Sequence, residues 1–362
     1  MDGTSALPYC VPMIMVPTVV VKTTLLSGAW TFAIFPIMLV LLPLLDVVVG
    51  VNLGNHSAEH QDEVQGALKF RIVLFSAVPG MFAALAYGAW LASGDMVTSL
   101  EFFGITASFG ALSGIVGIVV GHEFAHKAGT VEKLAGRFLL CLVCYGHFYV
   151  EHVVGHHKHV ATDEDPASAR YGESLYAFIP RVIAGEFRSA CRIEGERVRR
   201  KGLPFWRCEI PLYALCSASV GMFFVWAFGP RAAAFFVLQS FVAIMLFQSV
   251  HYQSHYGLER RELKPGVYEM TKPQHSWEAP SRLVNMIIFN LTRHADHHAH
   301  AGKRYQTLQL LEGSPQSPAG LPTMIALALI PPLWRAVMHP RLDNFRKTQV
   351  GQVFRHGPTP AQ

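Results

Sequence analysis

Histidine is the residue whose number and spacing point to chemistry in this sequence. The chain contains 18 histidines, and ten of them lie in four short stretches that read GHEFAHK, EHVVGHH, HYQSHYGL and RHADHH. Nine candidate ligands are found there: His122, His126, His152, His156, His157, His255, His294, His297 and His298. Imidazole binds zinc, copper, iron and nickel. The pattern therefore predicts a metal site without fixing which metal it holds.

The spacing within the first two stretches suits a helix that presents several imidazoles to one point. Because a helix turns about 100° per residue, His122 and His126 are about 40° apart on one face. His152 and His156 share a face in the same way. His157 is swung further round, so we expect it to reach a second metal.

The last stretch adds three ligand candidates. His294, His297 and His298 fall within an arc of about 100° on a helix. Nine imidazoles exceed what one ion can take, so two ions are implied. The stretch HEFAH at 122–126 has the spacing of the HExxH motif of zinc proteases, but it supplies only two of the nine candidate histidines, so a zinc protease is not the expected class.

Carboxylates next to the histidines are candidates for orienting the rings. A metal-bound imidazole usually donates its other N–H to a carboxylate or carbonyl. Glu123, Glu151 and Asp296 are adjacent in sequence to candidate ligands. We expect them to take this role, although carboxylates at helix ends are also common as ordinary surface groups.

The elements that position these residues are membrane helices. Apolar residues make up 51% of the chain and charged residues only 15%, whereas a soluble domain carries about a quarter charged residues. A spanning helix needs about 20 mostly apolar residues. Six stretches meet this requirement, near residues 8–25, 29–50, 71–92, 102–121, 206–227 and 232–251. We predict an all-α integral membrane protein with a single domain over 1–342 and a polar C-terminal tail over 343–362.

The basic residues predict the orientation in the membrane. The loop 93–101 contains no Lys or Arg, whereas 122–205 contains many. The positive-inside rule then places the histidine-bearing segments 122–205 and 252–320, and both termini, in the cytoplasm. The start of the chain lacks the basic region of a cleaved signal peptide, so we expect the first span to be retained. A bacterial-type inner membrane is the expected location.

Several function classes are disfavoured by what the sequence lacks. The net charge of +5 is not arranged as a basic stripe with interleaved aromatics, so nucleic acid is not an expected partner. Cys141 and Cys144 form a lone CxxC, whereas a rubredoxin-type site needs two pairs. No GxGxxG fingerprint for a flavin or nicotinamide is present. Electrons for a redox reaction must therefore come from another protein.

Taken together, the motifs resemble those of the membrane fatty-acid desaturase and hydroxylase superfamily. Within it, the chain is most similar to the alkane 1-monooxygenases and to the related xylene monooxygenase hydroxylase component. The resemblance covers about residues 120–310. It is carried by HEFAHK at 122–127, EHVVGHHKHVATDEDPASAR at 151–170, HYGL at 255–258, KPQHSW at 272–277 and RHADHHAHAGKRYQTL at 293–308.

The resemblance implies a fold, a cofactor and a reaction. It implies six transmembrane helices, a cytoplasmic histidine-rich cap and a diiron centre held by the nine histidines. The implied reaction uses O₂ to hydroxylate a terminal methyl group, of which the conversion of a medium-chain n-alkane to a 1-alkanol is the preferred case. The implied electron donor is rubredoxin, or a ferredoxin-type protein, with its NAD(P)H reductase.

Three departures from the family pattern leave questions open. His251 and Ser254 stand where the family usually has asparagine and glutamate, and Asp163 stands where it usually has proline. His251 can be a tenth ligand, a group that orients a ligand or a structural histidine at a helix end, and the last is our preferred interpretation. The departures weaken the preference for linear alkanes over alkyl-aromatics.

Other activities stay open at this point. A xylene-type methyl hydroxylase and a fatty-acyl desaturase or lipid hydroxylase belong to the same superfamily. A membrane metal transporter is a more remote alternative, because it would need histidines along an aqueous path through the bilayer. The substrate of an oxygenase should arrive from the lipid through an apolar channel, for which Phe32, Phe35, Leu42 and Phe109 are candidate lining residues. The sequence gives neither the chain-length preference nor the oligomeric state.

Overall fold

Helices make up nearly all of the regular structure. The computed structural model describes residues 5–356, and the side chains of residues 5–348. Fourteen helices are numbered here in chain order. They are α1 Leu7–Thr24, α2 Ile34–Val49, α3 Ala58–Gln65, α4 Leu68–Ala92, α5 Ser99–Ala125, α6 Thr130–Cys141, α7 148–159, α8 Leu175–Arg200, α9 Glu209–Phe228, α10 Arg231–His255, α11 Arg282–Ile287, α12 His294–Ala299, α13 Leu321–Ala328 and α14 Pro331–His356. Two short antiparallel strands, β1 Glu262–Lys264 and β2 Val267–Tyr268, form a small hairpin.

Five of these helices are long and apolar enough to cross a membrane. They are α1, α4, α5, α9 and α10, with 18 to 27 residues each. At 1.5 Å per residue, even the shortest is about 27 Å long, close to the thickness of a hydrocarbon core. Apolar side chains on the outside of this bundle, such as Leu215, Met222 and Trp226, are exposed as lipid-facing residues should be. The prediction of an all-α membrane protein is confirmed.

The second predicted span, 29–50, differs from a single long helix. A 3₁₀ turn over Gly28–Phe32 precedes α2, which has 16 residues and contains a π turn at Ile37–Leu41. A helix of that length is about 24 Å long and falls short of the hydrocarbon thickness. The count of six spans therefore stays a prediction, since it needs the 3₁₀ turn to contribute to the crossing.

Small residues bring α5 and α10 into close contact at the centre of the bundle. A Cβ on Gly110 would lie 2.6 Å from the Cβ of Val242, so only glycine fits there. Small residues allow this kind of backbone approach between helices in lipid. Next to this contact, the Ser113 hydroxyl donates a 2.8 Å hydrogen bond to the side chain of Gln239. This contact fixes α5 and α10 side by side, and each ends in candidate metal ligands.

The segments outside the spanning helices form a cap over one end of the bundle. In it, α8 packs against α7 and α10, and the first half of α8 shares a buried apolar cluster with α13 and α14. Trp334 and Met338 of α14 are buried against Phe178 and Tyr252. The stretch 321–338 forms α13 and the start of α14. All candidate ligands lie at the junction between the cap and the bundle.

Candidate metal centre

The four histidine stretches lie on four helices that converge. His122 lies at the end of α5 and His126 directly after it, and His255 ends α10. The other six lie in the cap, three on α7 and three on α12. Seven of the nine candidate residues are buried, and His126 and His157 are half-buried. The structure thus brings together residues that are up to 176 positions apart in the sequence.

Five of the nine imidazoles form one group, which we call the five-imidazole group. In it, one ring nitrogen of each member lies within 4.8 Å of those of the others. Its members are His122, His126, His152, His157 and His297. Nε2 of His157 is 3.2 Å from Nε2 of His152 and 3.1 Å from Nε2 of His297.

The remaining four form a second group, the four-imidazole group, under the same distance limit. Its members are His156, His255, His294 and His298. Nε2 of His294 lies 3.0 Å from Nε2 of His255 and 3.1 Å from Nε2 of His298. The nine candidate residues thus divide into two groups, and the number of ions that they bind stays a prediction.

The three histidines of α7 are distributed between the two imidazole groups differently from what the sequence predicts. A regular helix would pair His152 with His156, but the two fall in different groups, and His152 joins His157 instead. The reason is a π turn over Glu151–His156. Its hydrogen bonds join residues five apart, so residues 152 and 157 come to lie one above the other.

The donor atoms fit metal ions. Imidazole nitrogens bind zinc at 2.0–2.1 Å, so two ligands at right angles would be about 3 Å apart, as the closest nitrogen pairs are here. Nε2 atoms of His122, His126 and His156 are buried and have no hydrogen-bond partner among the described residues. Buried polar atoms without partners are rare in native proteins, and a metal ion bound by these nitrogens would satisfy them.

The electrostatics keep these rings in the metal-binding form. Burial lowers the pKa of His126 to about 3, with Lys127 and His156 adding to the effect. Burial and the neighbouring imidazoles also hold the pKa of His152 and His297 well below the usual range. Neutral imidazole is the species that binds metal, so the site needs no proton release from these rings at neutral pH.

Two rings of the four-imidazole group are oriented by outer hydrogen bonds. Asp165 Oδ2 lies 2.9 Å from Nδ1 of His156, and the carbonyl of His275 lies 3.1 Å from Nδ1 of His255. Burial raises the pKa of Asp165, but His156 and the Ser168 hydroxyl outweigh it and lower the pKa to about 2. Each bond leaves Nε2 of its ring free for an ion. Sequence reasoning missed Asp165, although it lies in the DEDP run eight residues after His157.

The three carboxylates predicted to orient rings have other surroundings. Glu123 binds Lys127 at 2.9 Å and the backbone N–H of Tyr305 at 3.1 Å. Asp296 accepts hydrogen bonds from Lys303, Gln309 and His300. Both carboxylate oxygens of Glu151 are buried without a partner in the described structure. Their orienting role stays a prediction.

His251 joins the centre as well. One of its ring nitrogens lies within 4.8 Å of ring nitrogens of His152 and His156, which belong to different groups. The residue is 1% exposed. It therefore lies beside the junction of the two groups rather than at an isolated helix end.

An apolar cavity of about 830 Å³ lies next to the histidines. Helices α2, α5, α8, α10, α11 and α13 line it, and among the described lining residues only Tyr176 and Ser249 carry a polar side-chain group. The lining residue Phe247 has its ring 6.2 Å from that of His122. Of the four predicted lining residues, Phe35 and Leu42 line this cavity, whereas Phe32 and Phe109 do not.

Comparison with known proteins identifies relatives over most of the chain. Residues 98–327 match the family model described as fatty acid desaturase. Alkane 1-monooxygenase 2 of Pseudomonas aeruginosa is 43% identical, over 88% of this chain and 85% of its own length. Alkane 1-monooxygenase 1 of the same organism is 41% identical, over 87% and 84%. The xylene/toluene monooxygenase hydroxylase component of Pseudomonas putida is 26% identical, over 74% and 71%.

Proposed function

The chain belongs to the fatty acid desaturase family, in its alkane 1-monooxygenase group, and from that premise we propose that it hydroxylates a terminal methyl group of an apolar hydrocarbon with O₂. The proposed substrate is an n-alkane, and in particular a medium-chain one, which would be converted to a 1-alkanol. Its support is that the relatives named alkane 1-monooxygenase are 33–43% identical, whereas the xylene/toluene enzyme is 26% identical. The observation that carries the proposal is the junction of two imidazole groups with an apolar cavity.

Two iron ions are the proposed cofactor. The five-imidazole group would hold one ion and the four-imidazole group the other, so that all nine predicted histidines serve as ligands. When bound, iron supplies the activation of O₂ that protein side chains cannot. Asp165 would fix the ring of His156, and the carbonyl of His275 would fix the ring of His255.

The protein's own contribution is to bind and aim the hydrocarbon. The cavity offers almost no hydrogen-bonding groups, so an alkyl chain gains from leaving water and a polar substrate does not. Phe247 touches both the cavity and the histidines, with its ring 4.8 Å from His251. Its position would direct one end of the chain towards the metal centre and keep water from it, which is how binding energy contributes to positioning.

A redox partner must deliver the electrons, and the basic surface of α8 suits an acidic one. Arg188, Arg192, Arg199 and Arg200 are exposed on this helix, which packs directly on the ligand-bearing α7. Charge complementarity speeds and orients such an encounter. We propose rubredoxin, or a ferredoxin-type protein, with its NAD(P)H reductase as the donor.

The proposed setting is the inner membrane of a bacterium, with the metal centre and both termini on the cytoplasmic side. The support is the charge distribution, since the basic residues of the cap lie on the side of the histidines. A cytoplasmic centre is also accessible to a soluble electron donor.

The experiment is product analysis with purified protein, a rubredoxin with its reductase, and NADH. Octane should give 1-octanol that carries ¹⁸O from ¹⁸O₂, and metal analysis should find iron. Turnover of xylene but not of octane would favour the alkyl-aromatic methyl hydroxylase. A desaturated or hydroxylated lipid as the product would favour the lipid-modifying activity, and zinc or copper without O₂-dependent turnover would favour a metal transporter.

A further inference from the structure

His251 has a buried nitrogen that no protein group satisfies. Its Nε2 has no hydrogen-bond partner among the described side chains and backbone groups, and the residue is 1% exposed. An unsatisfied polar atom in the interior is costly unless something else binds it. The ring is packed against Phe247 and Phe148, at 4.8 and 6.0 Å between ring centroids.

The hydrogen bonds around Gln248 determine which nitrogen of His251 carries the proton. The amide nitrogen of Gln248 donates to Glu186 Oε2 at 2.7 Å and to the hydroxyl of Tyr145. Its amide oxygen is then left facing Nδ1 of His251, at 3.1 Å. Since an amide oxygen only accepts, Nδ1 must carry the hydrogen. Nε2 is therefore a bare lone pair, the form in which imidazole binds metal.

His251 lies close enough to the candidate ligands for its Nε2 lone pair to bind the same metal centre. One of its ring nitrogens is within 4.8 Å of ring nitrogens of His152 and His156. Its ring centroid is 5.1 Å from that of His156 and 5.9 Å from that of His152. The nearer of the two belongs to the four-imidazole group, which has one donor fewer than the other group.

We propose that His251 is a tenth nitrogen donor of the metal centre, serving the ion of the four-imidazole group, and that Glu186 and Gln248 are positioning residues for it. The proposal rests on the metal centre of the proposed function and adds a donor to it. Glu186 lies on α8, so this chain of contacts also links the basic helix of the cap to the centre.

The test is metal binding by the full-length protein, without turnover. Metal-free protein in detergent is titrated with Co²⁺ against a competing chelator, and the visible bands report the coordination of the bound ions. The unmodified protein should bind two ions. His251→Asn can still reach Gln248 but has no atom at the position of Nε2. Loss of an outer hydrogen-bond partner of a ligand weakens metal affinity by about 10- to 100-fold, so loss of a donor should weaken one binding step by at least that amount. The bands of that step should change, and the other step should stay as it was.

Glu186→Gln tests the positioning role. Without the carboxylate, the amide of Gln248 is free to turn over and present its N–H₂ group to Nδ1 of His251, which would move the ring proton to Nε2. The same binding step should weaken, by less than in His251→Asn. His147→Asn is the matched control, since Nε2 of His147 is also buried without a partner in the described structure but no candidate metal group includes it. It should leave both steps unchanged.

The outcomes separate this proposal from the proposed function. If the unmodified protein fails to bind a pair of ions, the metal centre itself is wrong. If it binds two ions and His251→Asn does as well, with the same affinities and bands, His251 is not a donor. Equal weakening of both steps, together with a lower melting temperature of the metal-free variant, would mean that His251 is structural and would also overturn the proposal.

Discussion

The two imidazole groups hold their nitrogens in place by different means. The four-imidazole group has rings fixed from outside, by Asp165 on His156 and by the carbonyl of His275 on His255. The five-imidazole group has one more donor, and its neighbours include aromatic rings, with Phe148 4.7 Å from His152 and Phe247 6.2 Å from His122. The four-imidazole group therefore depends on hydrogen bonds that orient its rings. The five-imidazole group depends on a larger number of ligands and on packing against aromatic rings.

The difference matches what each group adjoins. The aromatic neighbour Phe247 of the five-imidazole group also lines the apolar cavity, so apolar packing serves both the rings and the hydrocarbon. The four-imidazole group adjoins polar groups of the cap, including Asp165 and Ser168, which share a 2.6 Å hydrogen bond. The proposed pair of ions would therefore have unlike surroundings, and it should respond differently to changes on its two sides.

The largest expected effect is the loss of a ligand from the five-imidazole group. His297→Ala should abolish hydrocarbon oxidation and leave the protein in the membrane, because the ring lies in the cap and not in a spanning helix. Product analysis and membrane fractionation measure this. His300→Ala, on a neighbouring residue whose side chain is 57% exposed, is the matched control and should retain activity. An unchanged product yield in His297→Ala would refute its role as a ligand.

Removal of the outer carboxylate of the four-imidazole group should have the next largest effect. Asp165→Asn keeps the shape but removes the charge that orients His156, so the affinity for one of the two ions should fall by about 10- to 100-fold. Titration with a competing chelator measures it.

The matched control for Asp165 is its neighbour Glu164. Glu164 pairs with His159 at the surface, with its side chain 46% exposed, so Glu164→Gln should bind both ions as before. Weakening of both ions alike in Asp165→Asn would contradict the division of the centre into two differently supported groups.

A change on the cavity side should separate substrate positioning from metal binding. Phe247→Ala removes the ring between the cavity and His122, so we expect both ions to remain bound while less of the consumed O₂ appears as alcohol. The measurements are metal content and the ratio of product to O₂ consumed. Phe241→Ala, on the same helix and also in the cavity lining, should affect this ratio less. Loss of one ion from Phe247→Ala would mean that the aromatic ring supports the ligands themselves.

The smallest expected effect is on how the stability of the fold depends on pH, through a carboxyl group in the segment that carries the carbonyl of His275. Burial raises the pKa of nearby Glu278 to about 7, against smaller lowering effects of Gln316 and Ser314. A carboxyl with a raised pKa binds its proton more tightly in the folded state, so the fold loses stability as the pH rises from the ordinary pKa of the group to about 7, and the loss levels off above that pH. Glu278→Gln should therefore raise the melting temperature at pH 8 and leave it unchanged at pH 5. The exposed Glu312, changed to Gln, serves as the control; a difference of equal size at both pH values would contradict the explanation.

Much of the centre follows from the sequence alone. Hydropathy over about 20 residues identifies spanning helices, because lipid forces every backbone polar group into internal hydrogen bonds. The nine histidines stand out because ionisable residues near membrane depth are costly and usually functional. Hydropathy and histidine spacing are both local properties of the sequence. The sequence therefore identifies the four histidine stretches without knowledge of the fold.

The tertiary structure decided how these parts are combined. The π turn in α7 pairs His152 with His157, and the contact of His157 with His297 joins residues 140 positions apart. Asp165 and His251 gain their roles from neighbours that no helical spacing rule includes. Residue types and local periodicity determine which side chains can bind metal, but the division of ten imidazoles between two places depends on distances across the fold, which only the packing of α5, α7, α10 and α12 sets.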